Sequence, residues 1–153
     1  AEDDPLWSEE VVEIFIDPDG DGKHYLEVEV SPSNVIVDLL IYSVSPEWHS
    51  SKDWDIAGLK TAVQAHGTVN DKSDVDSGSV FEFALPWKGF GKIAGSANIP
   101  PKPGDVWRIN INRYERPRGG EDTETELSGW APLDLQSYHV PDRFGYVRFV
   151  KGH

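Results

Sequence analysis

From Val11 to Val30 the chain alternates apolar and polar positions on both sides of a single turn. Val12, Ile14 and Ile16 interleave with Glu13, Phe15 and Asp17. Beyond the turn, Tyr25, Glu27 and Glu29 interleave with Leu26, Val28 and Val30. A period of two in β-branched, aromatic and aliphatic residues predicts strands. Between them, Asp17-Pro18-Asp19-Gly20-Asp21-Gly22 combines a proline of fixed φ with two glycines that accept positive φ, so the chain can reverse into an antiparallel hairpin.

The same pattern recurs downstream. Val35 to Ser43 predicts a third strand, with Asp38 as its odd polar insertion. Residues 46–55 read as a loop carrying Trp48, His49 and Trp54. Residues 59–66 fit a short helix or a strand, and Val63, Ala65 and the Gly67-Thr68 that follows favour the strand. Val80 to Leu85 alternates cleanly. Val106 to Tyr114 sets Trp107, Ile109 and Ile111 on one side and Arg108, Asn110 and Asn112 on the other. A long polar loop is expected over 115–128, and a last strand over Phe144 to Val150. About seven strands with almost no helix predict an all-β chain, an antiparallel β-sandwich of seven or more strands. Residues 1–153 contain no visible repeat or internal boundary and are read as one domain. The first strong strand begins abruptly. The sandwich is therefore expected to lack N-terminal strands, supplied by a longer protein or by another chain.

Composition narrows the partners. Net charge is −13, and eleven of the 27 acidic residues fall within the first thirty positions. Such a chain has little with which to neutralise phosphates, which argues against nucleic acid and anionic membranes. No apolar window is long enough for a membrane-spanning helix. Cysteine is absent, so disulfides, thiolate metal sites and cysteine nucleophiles are excluded. Methionine is absent even at position 1, as in a processed chain or one that begins mid-protein, and no signal peptide is visible. Six tryptophans are many for this length, and their flat rings suit both a core and stacking on a neutral ligand such as a sugar.

Three features carry candidate chemistry. Asp17, Asp19 and Asp21 followed by Gly22 match the first half of a calcium loop. The second half fails, because Val28 stands where a bidentate Glu is required and strands replace the flanking helices. A calcium turn in a β-protein and a plain solvated turn both remain open. Asp71, Asp74 and Asp76 form a second acidic turn, read first as solvated. Glu13 lies on a strand otherwise suited to burial, with Asp17 and Glu27 as its neighbours along the strand and across the hairpin. A carboxylate there can accept hydrogen bonds from sugar hydroxyls, or face solvent. Arg113 is a candidate donor, although alternation sets it apart from Asn110 and Asn112. Trp7 reads equally as a core plug or as a platform at the mouth of a site. The five histidines show no zinc spacing, and no nucleophile-elbow or phosphate-loop motif occurs. Carboxylate pairs are too abundant for any one of them to mark a glycosidase.

Taken together, these segments resemble the family 9 carbohydrate-binding modules and the wider DOMON-like superfamily. The resemblance runs through Asp4-Pro5-Leu6-Trp7, Val12 to Gly22, Tyr25 to Pro32, Asp38-Leu39, Gly58 to Val63, Gly67 to Asn70, Phe81 to Trp87, Trp107 to Arg113, Trp130 and Phe144 to Phe149. It implies a calcium-stabilised β-sandwich that binds carbohydrate of the cellulose or xylan type without catalysis, as an accessory to a parent enzyme. It also implies an extracellular or cell-surface location. Trp7 and Trp130 would wall the sugar, Glu13 would accept from its hydroxyls, Arg113 would donate, and Asp17, Asp19 and Asp21 would hold calcium. Haem-binding relatives use a methionine ligand, which this chain lacks. A structural or protein-interaction domain is the first alternative. A polysaccharide-active enzyme is the second.

Overall fold

A computed structural model describes residues 6, 10–69, 71, 75–116, 125–132 and 137–152. Among these residues nine strands are present: β1 (Val11–Asp17), β2 (Tyr25–Val30), β3 (Ile36–Ser43), β4 (His49–Ser51), β5 (Lys60–Ala65), β6 (Ser79–Ala84), β7 (Val106–Glu115), β8 (Glu126–Gly129) and β9 (Gly145–Arg148). Seven of them form one antiparallel sheet in the order β4-β3-β2-β1-β7-β8, with β9 pairing the N-terminal half of β7. The other two, β5 and β6, pair with each other. The all-β reading holds, and residues 60–65 are a strand. Two short strands escaped the pattern. β4 lies inside the segment read as a tryptophan-rich loop, and β8 ends the segment read as a polar loop. Neither shows an apolar alternation, and both are edge strands held by backbone pairing.

β1 is the centre of the large sheet. It pairs with β2 through Glu13↔Glu29 and Phe15↔Glu27, and with β7 through Glu13↔Asn112 and Phe15↔Asn110. Alternation then gives the sheet two unlike faces. Ile14, Ile16, Leu26, Val28, Val30, Leu40, Trp107 and Ile109 lie on one face and pack beneath Val63, Phe81 and Phe83 of the small sheet, with Trp54, Ile56 and Phe90 closing the gap. That layer is the main core. The opposite face carries a second apolar cluster, with Val11, Phe15, Tyr25, Leu39, Ile41 and Phe144 at its heart.

Loops are held to this frame by polar groups that the sequence pattern marks as exceptions. Asp38 points into the main core, and its carboxylate accepts the Ile56 backbone N–H at 2.6 Å. Asn110, fully buried, accepts the Ala131 N–H at 3.0 Å through its side-chain oxygen. The Tyr138 hydroxyl lies 2.6 Å from the Arg113 carbonyl and 3.0 Å from that of Ser128, tying residues 137–140 to β7 and β8. Replacing Asp38 with Ala strands a buried N–H, so urea unfolding should show a loss of about 1–3 kcal/mol. An unchanged midpoint would mean that water takes over the bond.

Candidate functional site

The hairpin register places three glutamates on one sheet face. Glu13 on β1 stands directly opposite Glu29 on β2, and Glu27 lies two residues along the same strand. Their carboxylate oxygens come within 4.8 Å of one another, and the residues are 3%, 1% and 3% exposed. Asn112 of β7 flanks Glu13 from the other side and is 1% exposed. Glu27 Oε2, Glu29 Oε2 and both amide atoms of Asn112 find no hydrogen-bond partner among the described residues. Buried polar atoms are nearly always paired, so a group of orphans in one place suggests a ligand or ordered water.

A cavity of about 340 Å³ opens over these carboxylates. Its aromatic lining comes from Trp48, Tyr114 and His139, with Leu39 and Ser50 beside them and Lys52 as its cation. The Trp48 ring is fixed by its indole N–H, which donates to the Ser50 hydroxyl at 3.0 Å, and by edge-on contact with His139 at 4.5 Å. His139 is in turn stacked on Phe15, with ring centroids 4.9 Å apart, and its Nδ1 lies 2.8 Å from the Tyr25 hydroxyl. Its Nε2 is 3.8 Å from Glu27 Oε2, longer than a direct hydrogen bond.

Burial and mutual repulsion govern the charges. Desolvation raises Glu13 well above the carboxylate range, and the Glu29 charge raises it further. Glu27 is also raised well above that range, by desolvation first and then by the Glu13 and Glu29 charges. Desolvation lifts Glu29 to about 7, while the nearby Lys52 charge and a hydrogen bond with Glu27 restrain it. That hydrogen bond needs a proton between the two carboxyls. Burial depresses His139 to about 4, so its ring is neutral at neutral pH.

A second acidic group sits in the β1–β2 turn. The Asp17, Asp19 and Asp21 oxygens also come within 4.8 Å of one another. Asp17, fully buried, accepts the N–H groups of Gly20 and Gly22 at 2.9 Å each. Gly20 and Gly22 adopt φ of 72° and 75°, which a side chain would resist. Asp21 accepts the Lys23 N–H at 2.7 Å, and Asp19 reaches out to the Ser96 N–H at 3.1 Å. Each carboxylate keeps lone pairs beyond these bonds, and three hard oxygens at this spacing fit a calcium ion. In the other acidic turn, Asp76 accepts the Thr68 N–H at 2.9 Å and so braces the β5–β6 connection. Asp74 lies outside the described residues.

Of the four residues expected to grip a sugar, the three that are described do not come together. Trp7 lies outside the described residues. Glu13 is in the cavity, but Arg113 pairs opposite Val12 and so belongs to the other sheet face, where it bridges Glu115 at 3.1 Å. Trp130 is 55% exposed, and its backbone N–H donates to Ile111 at 2.8 Å. Its ring covers Gly145, where an added Cβ would fall 2.5 Å from Cζ3. Gly145 pairs with Ile109, so that indole also lies on the face away from Glu13. One site holding Glu13, Arg113 and Trp130 is therefore not formed, because the strand register sets Arg113 beside Val12, one position out of step with Glu13, and Trp130 over Gly145, the partner of Ile109. Glu27, Glu29, Trp48, Tyr114 and His139 were missed. The alternation does place Glu27 and Glu29 in one row. The approach of residues 48–52 and 139 leaves no local signal.

No protein-family model matches the chain. A curated relative, an extracellular protein from Arthroderma benhamiae, is 27% identical over 149 residues, which span 96% of this chain and 64% of that protein. Among solved structures, one from Bacteroides uniformis, provisionally assigned as a carbohydrate-binding protein, matches with a TM-score of 0.63 at 14% identity. The match covers 97% of this chain and 65% of that one, so the chain spans a little under two thirds of the length of each of these two proteins. At that identity the likeness establishes the shared fold. None of the described helices is long and apolar enough to cross a membrane.

The charge pattern sets a pH response. Glu29 titrates at about 7 in the fold against an ordinary 4.5, so its contribution is complete below 4.5 and is lost as pH rises through 7. Glu13 and Glu27 act in the same direction. His139 acts in the opposite one, since its contribution is lost as pH falls from 6.5 toward 4. In urea unfolding with chelator present, Glu29→Gln should gain on the order of 1–3 kcal/mol over the parent at about pH 8 and little at about pH 5. A difference that does not change with pH would refute this charge assignment.

Proposed function

We propose that this chain is a non-catalytic carbohydrate-binding module whose site is the cavity over Glu13, Glu27 and Glu29. The observation that carries this reading is the group of orphaned buried acceptors and amide atoms beneath an aromatic-lined opening. A sugar matches both features. Its C–H faces are weakly apolar and stack on flat rings, while its hydroxyls donate to carboxylates. At about 340 Å³ the cavity lies at the small end of ligand sites, suited to one or two sugar rings. The Bacteroides neighbour's assignment and the resemblance to family 9 modules support the same class, with a cellulose- or xylan-type glycan as the first candidate. The extracellular relative fits an external glycan.

In this reading the stacking surface beside the carboxylates is Trp48 with Tyr114. Trp130 offers a separate exposed platform on the opposite face. Binding is favoured over hydrolysis by geometry. The three carboxyls stand side by side on one face, whereas a glycosidase needs two that flank the scissile bond from opposite sides. Calcium at Asp17, Asp19 and Asp21 would stiffen the turn that leads into β2, and through Asp19 it would reach the loop at Ser96.

Two measurements test this reading. Calorimetric titration with neutral oligosaccharides should give saturable binding that Trp48→Ala weakens by roughly tenfold or more. If a folded protein gives no heat with any sugar, the proposal fails. Separately, chelator should lower the melting temperature by several degrees and added calcium should restore it, an effect absent in Asp19→Ala. A melting temperature indifferent to both would leave the acidic turn as a hydrogen-bonded reversal only.

A further inference from the structure

We infer that the cavity selects a positively charged sugar, one with a free, protonated amino group, over its neutral counterparts. This rests on the reading of the cavity as a carbohydrate site and specifies its ligand. Three carboxyls form the floor, and Lys52 is the one cationic side chain among the residues described around the opening. Once ionised, the three carboxyls would face a single lysine, and no arginine is among the described residues that line the cavity. A neutral sugar would be served by one or two acceptors. A third buried acid adds repulsion without adding a hydroxyl partner that one ring face can supply.

The orphaned atoms indicate what is missing. Glu27 Oε2 and Glu29 Oε2 are acceptors without donors among the described residues, and an ammonium brings three donors and one charge. Both orphaned oxygens belong to side chains that line the cavity and are only 3% and 1% exposed, so the unmet acceptors face the space a ligand would occupy. A bare divalent ion would fill only a small part of about 340 Å³ and would leave the aromatic lining without a role. An amino sugar uses the whole space, with its ring against Trp48 and Tyr114 and its ammonium on the floor.

Charge balance makes this a proton-linked event. Among the described residues, the groups facing the carboxyls are Lys52, Tyr25, Tyr114, Tyr138 and His139. The tyrosines are raised and the histidine lowered, so all four stay neutral near pH 7. Seating an ammonium therefore draws protons off the glutamates themselves.

The test is calorimetry on chelator-treated protein at about pH 6.5, where a free amino sugar carries its charge. A glucosamine trisaccharide is compared with its N-acetylated form and with the glucose trisaccharide. The amino form should bind at least roughly tenfold tighter than either neutral one. Repeating the titration in buffers of different ionisation enthalpy should reveal proton release with the amino form alone. Glu29→Gln should bring the amino-to-neutral affinity ratio down toward one. Should that variant not fold, the parent's own ratio decides. Equal affinity for amino and neutral sugars would overturn the inference and leave the proposed function standing. Tight calcium, magnesium or manganese binding lost in Glu29→Gln, without amino-sugar preference, would also overturn it and make the floor a metal seat. Silence with every sugar would sink both proposals.

Discussion

The pairing register of β1 with β2 and β7 is the constraint on which the rest of the molecule depends. Side chains alternate with a strict period of two, so a slip of one residue would exchange the faces of a strand. In the native register Ile14, Ile16, Leu26 and Val28 enter the main core, and Glu13, Glu27 and Glu29 meet on the other side. The apolar face enforces the register, since exposing it would cost far more than the carboxyls' repulsion. The acidic cluster is thus formed against its own preference, by residues that share its strands but not its face.

That arrangement stores an unfavourable interaction where a ligand can relieve it. Like charges facing each other across a strand pair are destabilising, and burial compounds the effect. The protein limits the cost by keeping protons on the cluster, as the raised pKa values of all three glutamates show. Around the cluster, rings hold one another in place. Phe15 supports His139, which meets Trp48 edge-on and touches the Tyr25 hydroxyl. The result is a preformed cavity, in which little side-chain freedom remains to be lost when a ligand arrives.

The two acidic groups illustrate different uses of the same residue type. Asp17, Asp19 and Asp21 occupy alternate positions of one turn, engage backbone N–H groups of that turn and its neighbours, and shape a chain reversal. Glu13, Glu27 and Glu29 are spread over two strands and leave oxygens unused. Local hydrogen bonds explain the first group without a ligand, although calcium fits it. No such bonds account for the second.

The strands β1, β2, β3, β5, β6, β7 and β9 were legible in the chain, because period-two alternation is a local property and the turn residues between them carry their own conformational bias. So were the acidic turn and the presence of Glu13 on a strand made for burial. The partition of Arg113 and Trp130 from Glu13 was half legible: alternation separates Arg113 from Asn112, but the face that Trp130 takes depends on its backbone bond to Ile111 and on the space left by Gly145. The short strands β4 and β8 carry no periodic signal, being held by edges that already existed. Only the tertiary structure decided that Trp48, Lys52, Tyr114 and His139 surround the three glutamates. Those contacts join segments far apart in the chain, and no rule of local spacing encodes a distance between residues that meet only once the sheet has formed.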